Sequence, residues 1–317
     1  MTTQVLDSGA PRALPVPRKQ RHISPLDSGG GRAAWAFLAP FGLFYVAFLI
    51  GPAIAMVIVS FFNTSLVVPG LGSFAGFGNY IEMLTRADFW SAMWHTVQFT
   101  LYTVPPLVVL AFVLAVMTNR VRRGQWFFRL AFFLPFVLPS ATISLIWLFI
   151  FTPGNGLFAT VQGWLGLAPG GGVLADPATA MIGIAIATVW WTLGFNFVLY
   201  LAGLQEIPRE LYEAAAVDGA STWQQIRSIT LPLLTRTHTL VILLQIIASL
   251  KIFDQVYLMT GGGPGISTQV ALGLVTGSAF VDNRVGAASA ASVLLFVLIV
   301  AIALIRQLIE RRTTKEA

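Results

Sequence analysis

The chain has 317 residues, of which 56% are apolar and only 10% are charged, whereas a soluble domain is roughly 45–50% apolar and about 25% charged. Its mean hydropathy of +0.78 agrees with this contrast. A soluble enzyme of this size needs more charge to cover its surface, so these values predict an all-α protein embedded in a membrane. The chain has no cysteine, which excludes disulfides, thiolate metal sites and cysteine nucleophiles.

Six apolar stretches are long enough to cross a bilayer as helices, which takes about 20 residues each. They lie within 33–62, at 94–117, at 130–151, within 177–205, at 237–259 and at 285–305, and the fifth is interrupted by Lys251 and Asp254. Pro135 and Pro139 predict a kink in the third helix because proline removes a backbone donor. The segment that follows it, 152–175, is rich in Gly and Pro and is predicted to form a loop.

The basic residues predict the orientation of these six helices. Fifteen of the nineteen Lys and Arg residues fall before the first span or after the second, fourth and sixth spans. Such residues concentrate in cytoplasmic segments, so both termini are predicted to be cytoplasmic. Residues 1–32 are predicted to be a disordered cytoplasmic segment, 33–310 the transmembrane domain, and 311–317 a cytoplasmic tail.

The polar segment 205–236, between the fourth and fifth spans, is predicted to form a helical hairpin. Pro208 is suited to the first turn of a helix, and Asp218-Gly219 is a turn signal. Ser221 reads as an N-cap, with Gln224 as its capping-box partner three residues later. The charge pattern predicts that this hairpin lies in the cytoplasm.

Small and charged residues recur in this hairpin at a fixed spacing. They are Glu213, Ala214, Ala215, Gly219, Ile229, Leu231 and Pro232. This pattern resembles the EAA loop of ABC importer permeases at every fixed position. The resemblance implies that the loop docks into a cleft of a cytoplasmic ATPase and couples ATP-driven closure to the membrane helices. The residues implied to act in this coupling are Glu213, Ala214, Ala215, Asp218 and Gly219.

Two further stretches narrow the resemblance. The run 253–264, FDQVYLMTGGGP, and the run 77–80, FGNY, are similar to those of maltose-type carbohydrate importer permeases. The similarity implies a type I ABC importer permease fold in a bacterial inner membrane. Aromatic residues are usual in that family where Val275 and Val285 stand, so the identity of the sugar is not taken from the family.

The same resemblance implies a set of partners. These are a second homologous permease subunit, two copies of an ABC ATPase and an extracytoplasmic sugar-binding protein. The chain itself lacks the phosphate-binding Gly-x4-Gly-Lys-Ser/Thr motif, so ATP and Mg are expected on the ATPase, and no cofactor, metal or nucleic acid is expected on this chain. A glycerol phosphate cargo is the main alternative, whereas no catalytic constellation or repeated pore motif favours a membrane-embedded enzyme or a channel.

Polar residues in the fourth span define a candidate substrate path. Thr188, Thr192, Asn196 and Tyr200 recur every four residues and therefore share one helical stripe. Trp191 stands beside the stripe, and Gln245, Ser249 and Asp254 add polar groups from the fifth span. Sugars suit such a surface because hydroxyl groups and aromatic faces both bind them. The stripe is equally compatible with hydrogen bonds between helices. For Asp254, a structural ion pair with Lys251 is favoured over a contact with substrate.

Overall fold

The computed structural model describes residues 30–121, 123–166 and 172–313. Within these ranges the regular structure is helical, and the one β feature is an isolated bridge between Phe62 and Phe74. Residues 1–29 and 314–317 lie outside the described part of the chain, so the predicted disordered segment and tail stay predictions. The first helix already begins at Gly30.

The helices of the described ranges are numbered in chain order. They are α1 Gly30–Tyr45, α2 Gly51–Val59, α3 Gly78–Thr85, α4 Ala87–Asn119, α5 Gln125–Val137, α6 Ser140–Ile150, α7 Leu157–Trp164, α8 Ala180–Glu206, α9 Arg209–Val217, α10 Thr222–Gln225, α11 Leu231–Leu233, α12 Thr235–Leu250, α13 Asp254–Met259, α14 Ala271–Thr276 and α15 Val285–Thr313. Three π-helical turns lie at Val46–Ile50, Ile226–Thr230 and Gly277–Val281.

Within the described ranges, four apolar helical segments are long enough to span a membrane without a break: Trp35–Val59, Ala87–Asn119, Ala180–Glu206 and Val285–Ile305. Two bent pairs, α5 with α6 and the α10–α11 region with α12, bring the number to six when each pair counts as one span. This confirms the prediction of an all-α membrane protein. Residues up to Ile54 form one structural unit, and residues from Ala55 onward form another.

The third predicted span is two helices set at a large angle. α5 and α6 are bent by 95° across Leu138 and Pro139. Leu138 has an extended backbone, with φ −73° and ψ 142°, because the residue before a proline is kept out of the helical region. Pro139 therefore ends α5 and divides the span into two helices, where the sequence predicted only a kink.

The fifth span, predicted over 237–259 with Lys251 and Asp254 as interruptions, is not a single helix. α12 ends at Leu250, and α13 begins at Asp254 after a short non-helical break. A continuous helix would hold Lys251 and Asp254 inside the membrane, which is costly. The break leaves both side chains exposed and puts Asp254 in the first turn of a helix, where a carboxylate is favoured.

A second correction concerns the predicted loop 152–175. Residues 157–164 within it form α7, with apolar side chains at Leu157, Phe158, Val161 and Trp164 in helical spacing. Glycines and prolines on both sides masked this short pattern. The short helices α3 and α14 were not identified from the sequence either.

α8 lies at the centre of the larger unit and packs against α4, α5 and α12. Gly194 permits the contact with α5, because a Cβ at this position would overlap the backbone of Phe132. One buried apolar cluster on α8, including Phe197, Tyr200 and Leu204, extends to Leu234 at the start of α12. The interior of this unit is therefore arranged around α8, which carries the predicted polar stripe.

Candidate functional site

A cavity of about 210 Å³ lies among α4, α6, α8, α12 and α13. Six of the eight residues predicted for the substrate path border it: Thr188, Trp191, Thr192, Gln245, Ser249 and Asp254. Other bordering residues were not assigned to the path from the sequence: Phe99, Thr103, Leu107, Ser140, Ala248, Lys251, Ile252, Phe253 and Gln255. The α4 residues gave no signal in the sequence, whereas Phe253 opens the stretch that resembles the maltose-type permeases.

The α8 side of the cavity carries hydroxyl groups whose hydrogens are already engaged. Thr188 Oγ1 donates to the carbonyl oxygen of Ile184 at 2.9 Å, and Thr192 Oγ1 donates to that of Thr188 at 2.8 Å. Because each hydroxyl hydrogen is used in the helix, the oxygens present lone pairs toward a ligand rather than donors. This wall of the cavity is therefore suited to accept hydrogen bonds.

Trp191 links the cavity to the broken third span. Its indole N–H donates to the carbonyl oxygen of Leu138 at 3.1 Å, across the break between α5 and α6. The carbonyl of Leu138 lies where the helix ends, so it needs a donor from elsewhere. Trp191 thus stabilises the break and contributes an aromatic surface to the cavity.

The break between α12 and α13 supplies the charged groups of the cavity. Asp254 Oδ2 accepts a hydrogen bond of 2.8 Å from Ser140 Oγ on α6. The predicted ion pair between Lys251 and Asp254 is wrong, since the ion pairs among the described residues all involve Arg86 or Arg284. Both residues border the cavity.

The C-terminal half of the polar stripe is packed inside the protein. Asn196 and Tyr200 are fully buried, and neither borders the cavity. Asn196 Oδ1 accepts a hydrogen bond of 2.9 Å from Gln245 Nε2, and Tyr200 Oη lies 2.8 Å from His238 Nδ1. The stripe therefore has two environments, a cavity at Thr188 and Thr192 and a helix interface at the other two residues.

The hairpin between α8 and α12 has the predicted local structure. α9 ends at Val217, and Ser221 and Gln224 form the predicted capping box at the start of α10. Gly219 has a left-handed backbone with φ +79°, which a glycine adopts without steric cost. An ideal Cβ built there would meet no atom within 4 Å, so the constraint on this residue is conformational.

One side of this hairpin is anchored and the other is exposed. Tyr212 and Ile229 pack against the buried cluster of α8 and α12, and Tyr212 Oη lies 3.0 Å from Thr230 Oγ1. The positions predicted to couple to an ATPase face outward: Glu213, Ala214, Asp218 and Gly219 are exposed, and Ala215 is half-buried. The outward-facing positions of the hairpin are therefore accessible to a partner, while its inner side is packed.

At the opposite end, ion pairs fix α3 against the start of α15. Glu82 is paired with Arg284 and lies 3.9 Å from Arg86. The hydrogen bond from Arg284 lowers the pKa of the Glu82 carboxyl below its ordinary value of 4.5, against the opposing effect of burial. The buried amide of Asn79 on α3 donates to the carbonyl oxygens of Ser60 and Phe62, both at 3.0 Å. Together these contacts connect α3 to the end of α2 and to the start of α15.

Broken helices around a polar cavity, with an anchored hairpin at one end, are typical of a membrane transport permease. Residues 107–315 match the family described as binding-protein-dependent transport system inner membrane component, and the chain belongs to this family. It is a multi-pass inner-membrane transport subunit and not an enzyme. Among the described residues, no group of His, Asp and Glu side chains could hold a metal ion.

Several relatives match most of the chain. SmoG, the sulfoquinovosyl glycerol transport system permease protein of Agrobacterium fabrum, is 37% identical over 245 residues, 77% of this chain and 79% of SmoG. MalF, the trehalose/maltose transport system permease protein of Thermococcus litoralis, is 32% identical over 86% of this chain and 92% of MalF. UgpA, the sn-glycerol-3-phosphate transport system permease protein of Brucella abortus, is 33% identical over 84% of this chain and 90% of UgpA.

The fold also has a solved counterpart. A chain of the bacterial alginate ABC transporter, in complex with an alginate pentasaccharide-bound periplasmic protein, superposes with a TM-score of 0.79. The superposition covers 90% of this chain and 96% of the other, at 22% sequence identity. The permease fold predicted from the sequence is thereby confirmed.

Proposed function

We propose that the chain is one of two permease subunits of an ABC importer that takes up a sugar or a sugar derivative. The observation that carries this proposal is the cavity, which combines aromatic side chains, Trp191 and Phe253, with polar groups on α4, α6, α8, α12 and α13. Sugars bind through hydroxyl hydrogen bonds and through apolar ring faces, and the cavity offers both. The names of the relatives SmoG and MalF support the same class of cargo.

In this proposal the chain works by alternating access. A binding protein releases cargo at the outer face. Two ATPase subunits hold ATP and Mg, and when these subunits close on each other the cavity opens toward the outside. Asp254 accepts hydrogen bonds from cargo hydroxyls while Ser140 holds its carboxylate in position. ATP hydrolysis then resets the cavity toward the cytoplasm.

We propose that the ATPase binds the exposed face of the hairpin, which includes Glu213, Asp218 and Gly219. Its support is the combination of an anchored inner side and an outward-facing pattern that resembles the EAA loop. Copurification of the ATPase with Glu213→Lys tests it, with Glu206→Lys as the control because Glu206 is also exposed and lies outside the pattern. Equal ATPase recovery from the two variants would contradict the assignment.

Uptake by the reconstituted complex tests the cargo class. Vesicles that contain this chain, its partner subunits and the binding protein are offered labelled trehalose, maltose, sulfoquinovosyl glycerol and sn-glycerol 3-phosphate. We expect uptake of at least one sugar, and a clear loss with Trp191→Phe but not with Trp190→Phe, since Trp190 lies on the same helix without bordering the cavity. An equal loss of uptake in the two variants would show that the cavity does not lie on the substrate path.

A second cargo class, a glycerol phosphate, is favoured by one observation. The ammonium group of Lys251 borders the cavity and forms no ion pair among the described residues. The relationship to UgpA supports this alternative. If the cargo is a neutral sugar, Asp254→Asn should lower uptake more than Lys251→Gln. If the cargo is anionic, Lys251→Gln should lower uptake more.

A further inference from the structure

Two adjoining cavities lie where α4 and α8 end and the hairpin begins. They measure about 380 and 370 Å³ and share Asn119, Gln125 and Arg209. Arg120 and Tyr212 also border the first of them. We call these five residues the basic pocket. It is separate from the central cavity, with which it has no bordering residue in common.

Two guanidinium groups of the basic pocket have unused donors. Arg120 and Arg209 are exposed, and neither is in an ion pair among the described residues. Glu206 and Glu210, the acidic residues nearest to Arg209 in the sequence, do not pair with it either. A guanidinium presents five N–H donors in a planar fork that matches a phosphate oxygen pair.

The local helix end does not consume these donors. Gln125 Nε2 donates to the carbonyl oxygens of Thr118 and Asn119, at 3.2 and 3.4 Å. The terminal carbonyls of α4 are therefore already satisfied by an amide, and Arg120 is not required as their cap. Both arginines are left facing a polar concavity that is large enough for a small anionic group.

The position of the basic pocket indicates that a membrane lipid supplies the anionic group. Asn119 ends the spanning helix α4, and α8 ends near the same pocket. Trp126 and Phe127, at the start of α5, expose 69% and 57% of their surface, and tryptophan is enriched at headgroup depth in a bilayer. Met117, one turn before the pocket, is 62% exposed and offers an apolar surface for an acyl chain.

We propose that the basic pocket binds the phosphodiester headgroup of an anionic membrane lipid, such as phosphatidylglycerol. Arg120 and Arg209 donate to the phosphate oxygens, and the acyl chains lie along the apolar surface of α4 and α5. Basic pockets between membrane helices are a recurrent site for such headgroups. This inference does not rest on the nature of the cargo or on the docking of an ATPase.

Native mass spectrometry of the full-length protein tests the site by titration with dioleoyl phosphatidylglycerol and, separately, dioleoyl phosphatidylcholine. We expect tighter binding of phosphatidylglycerol to the wild type, and about tenfold weaker binding for each guanidinium lost in Arg120→Gln/Arg209→Gln. Arg123→Gln is the matched control, because Arg123 is exposed in the same loop and borders neither cavity. It should bind like the wild type.

Three results would overturn the proposal: equal phosphatidylglycerol affinity in the wild type and the double variant, an equal loss in Arg123→Gln, or equal affinity of the wild type for the two lipids. Inorganic phosphate is added as a competitor, and displacement at the same concentration as the lipid would assign the pocket to a free anion instead. If the double variant is not monodisperse, the two single variants replace it. Each is then expected to lose about tenfold, and unchanged affinity in both would refute the site.

Discussion

Gln245 on α12 donates a hydrogen bond of 2.9 Å to Asn196 at the centre of α8, and both side chains are buried. Asn196 Nδ2 in turn donates to the carbonyl oxygen of Thr192 at 3.1 Å. The amide pair therefore joins two spanning segments next to the central cavity. Since Gln245 also borders that cavity, the pair connects the fold of the chain to its candidate substrate path.

Asn196→Leu is expected to lower stability rather than to block the path. The change leaves the buried amide of Gln245 without its acceptor, which costs about 1–3 kcal/mol. Thermal unfolding of the purified protein measures this, and Asn196→Leu/Gln245→Leu should recover part of the loss because two apolar groups replace the polar pair. Normal stability together with lost uptake would instead assign Asn196 to the path.

Gly219 should tolerate asparagine better than valine. The residue has φ +79° and open space around a Cβ, so a side chain is opposed by the backbone conformation and not by a clash. A left-handed conformation costs an ordinary residue roughly 1–2 kcal/mol and asparagine less. We expect Gly219→Asn to retain the ATPase during copurification and Gly219→Val to lose it. Equal loss with the two residues would mean that the partner contact, not the turn, excludes a side chain.

The ion pair of Glu82 should make stability fall at acid pH. The pKa of Glu82 is lowered in the folded protein by Arg284, so the stabilisation is present above pH 4.5 and is lost as the pH falls through the folded-state pKa. The side chain of Glu82 is 37% exposed, so its contribution is below about 1 kcal/mol. Melting temperatures between pH 6 and pH 3 should fall less steeply in Glu82→Gln, with Glu206→Gln unchanged. Parallel curves for the wild type and Glu82→Gln would contradict this.

The orientation of the chain is testable with fused reporters. The distribution of basic residues predicts an outside signal after Gly72 or Gly265 and a cytoplasmic signal after Arg123 or Asp218. Alkaline phosphatase and green fluorescent protein fusions report the two sides. An outside signal at Asp218 would overturn the predicted orientation, because the proposed ATPase surface would then lie outside the cell.

Local sequence determined the parts of this protein that depend on nearest neighbours. Apolar run length located the spanning segments, because hydrocarbon excludes unpaired backbone groups, but it did not reveal the break after Leu250 or the start of α4 at Ala87. The hairpin was predictable down to the capping box of Ser221 and Gln224, since capping and turn signals act over three or four residues. The predicted stripe on α8 was likewise a consequence of helical periodicity alone.

Only the tertiary structure divided that stripe between a cavity and a core. Thr188 and Asn196 are on the same face of α8, but α12 covers Asn196 through Gln245, whereas the break at Lys251 opens space beside Thr188. Neither proline nor glycine marks this break. Helical periodicity reports which residues share a face, but not which neighbouring element lies against each turn of it. That choice depends on contacts such as Trp191 with Leu138 and Ser140 with Asp254, between residues far apart in the sequence.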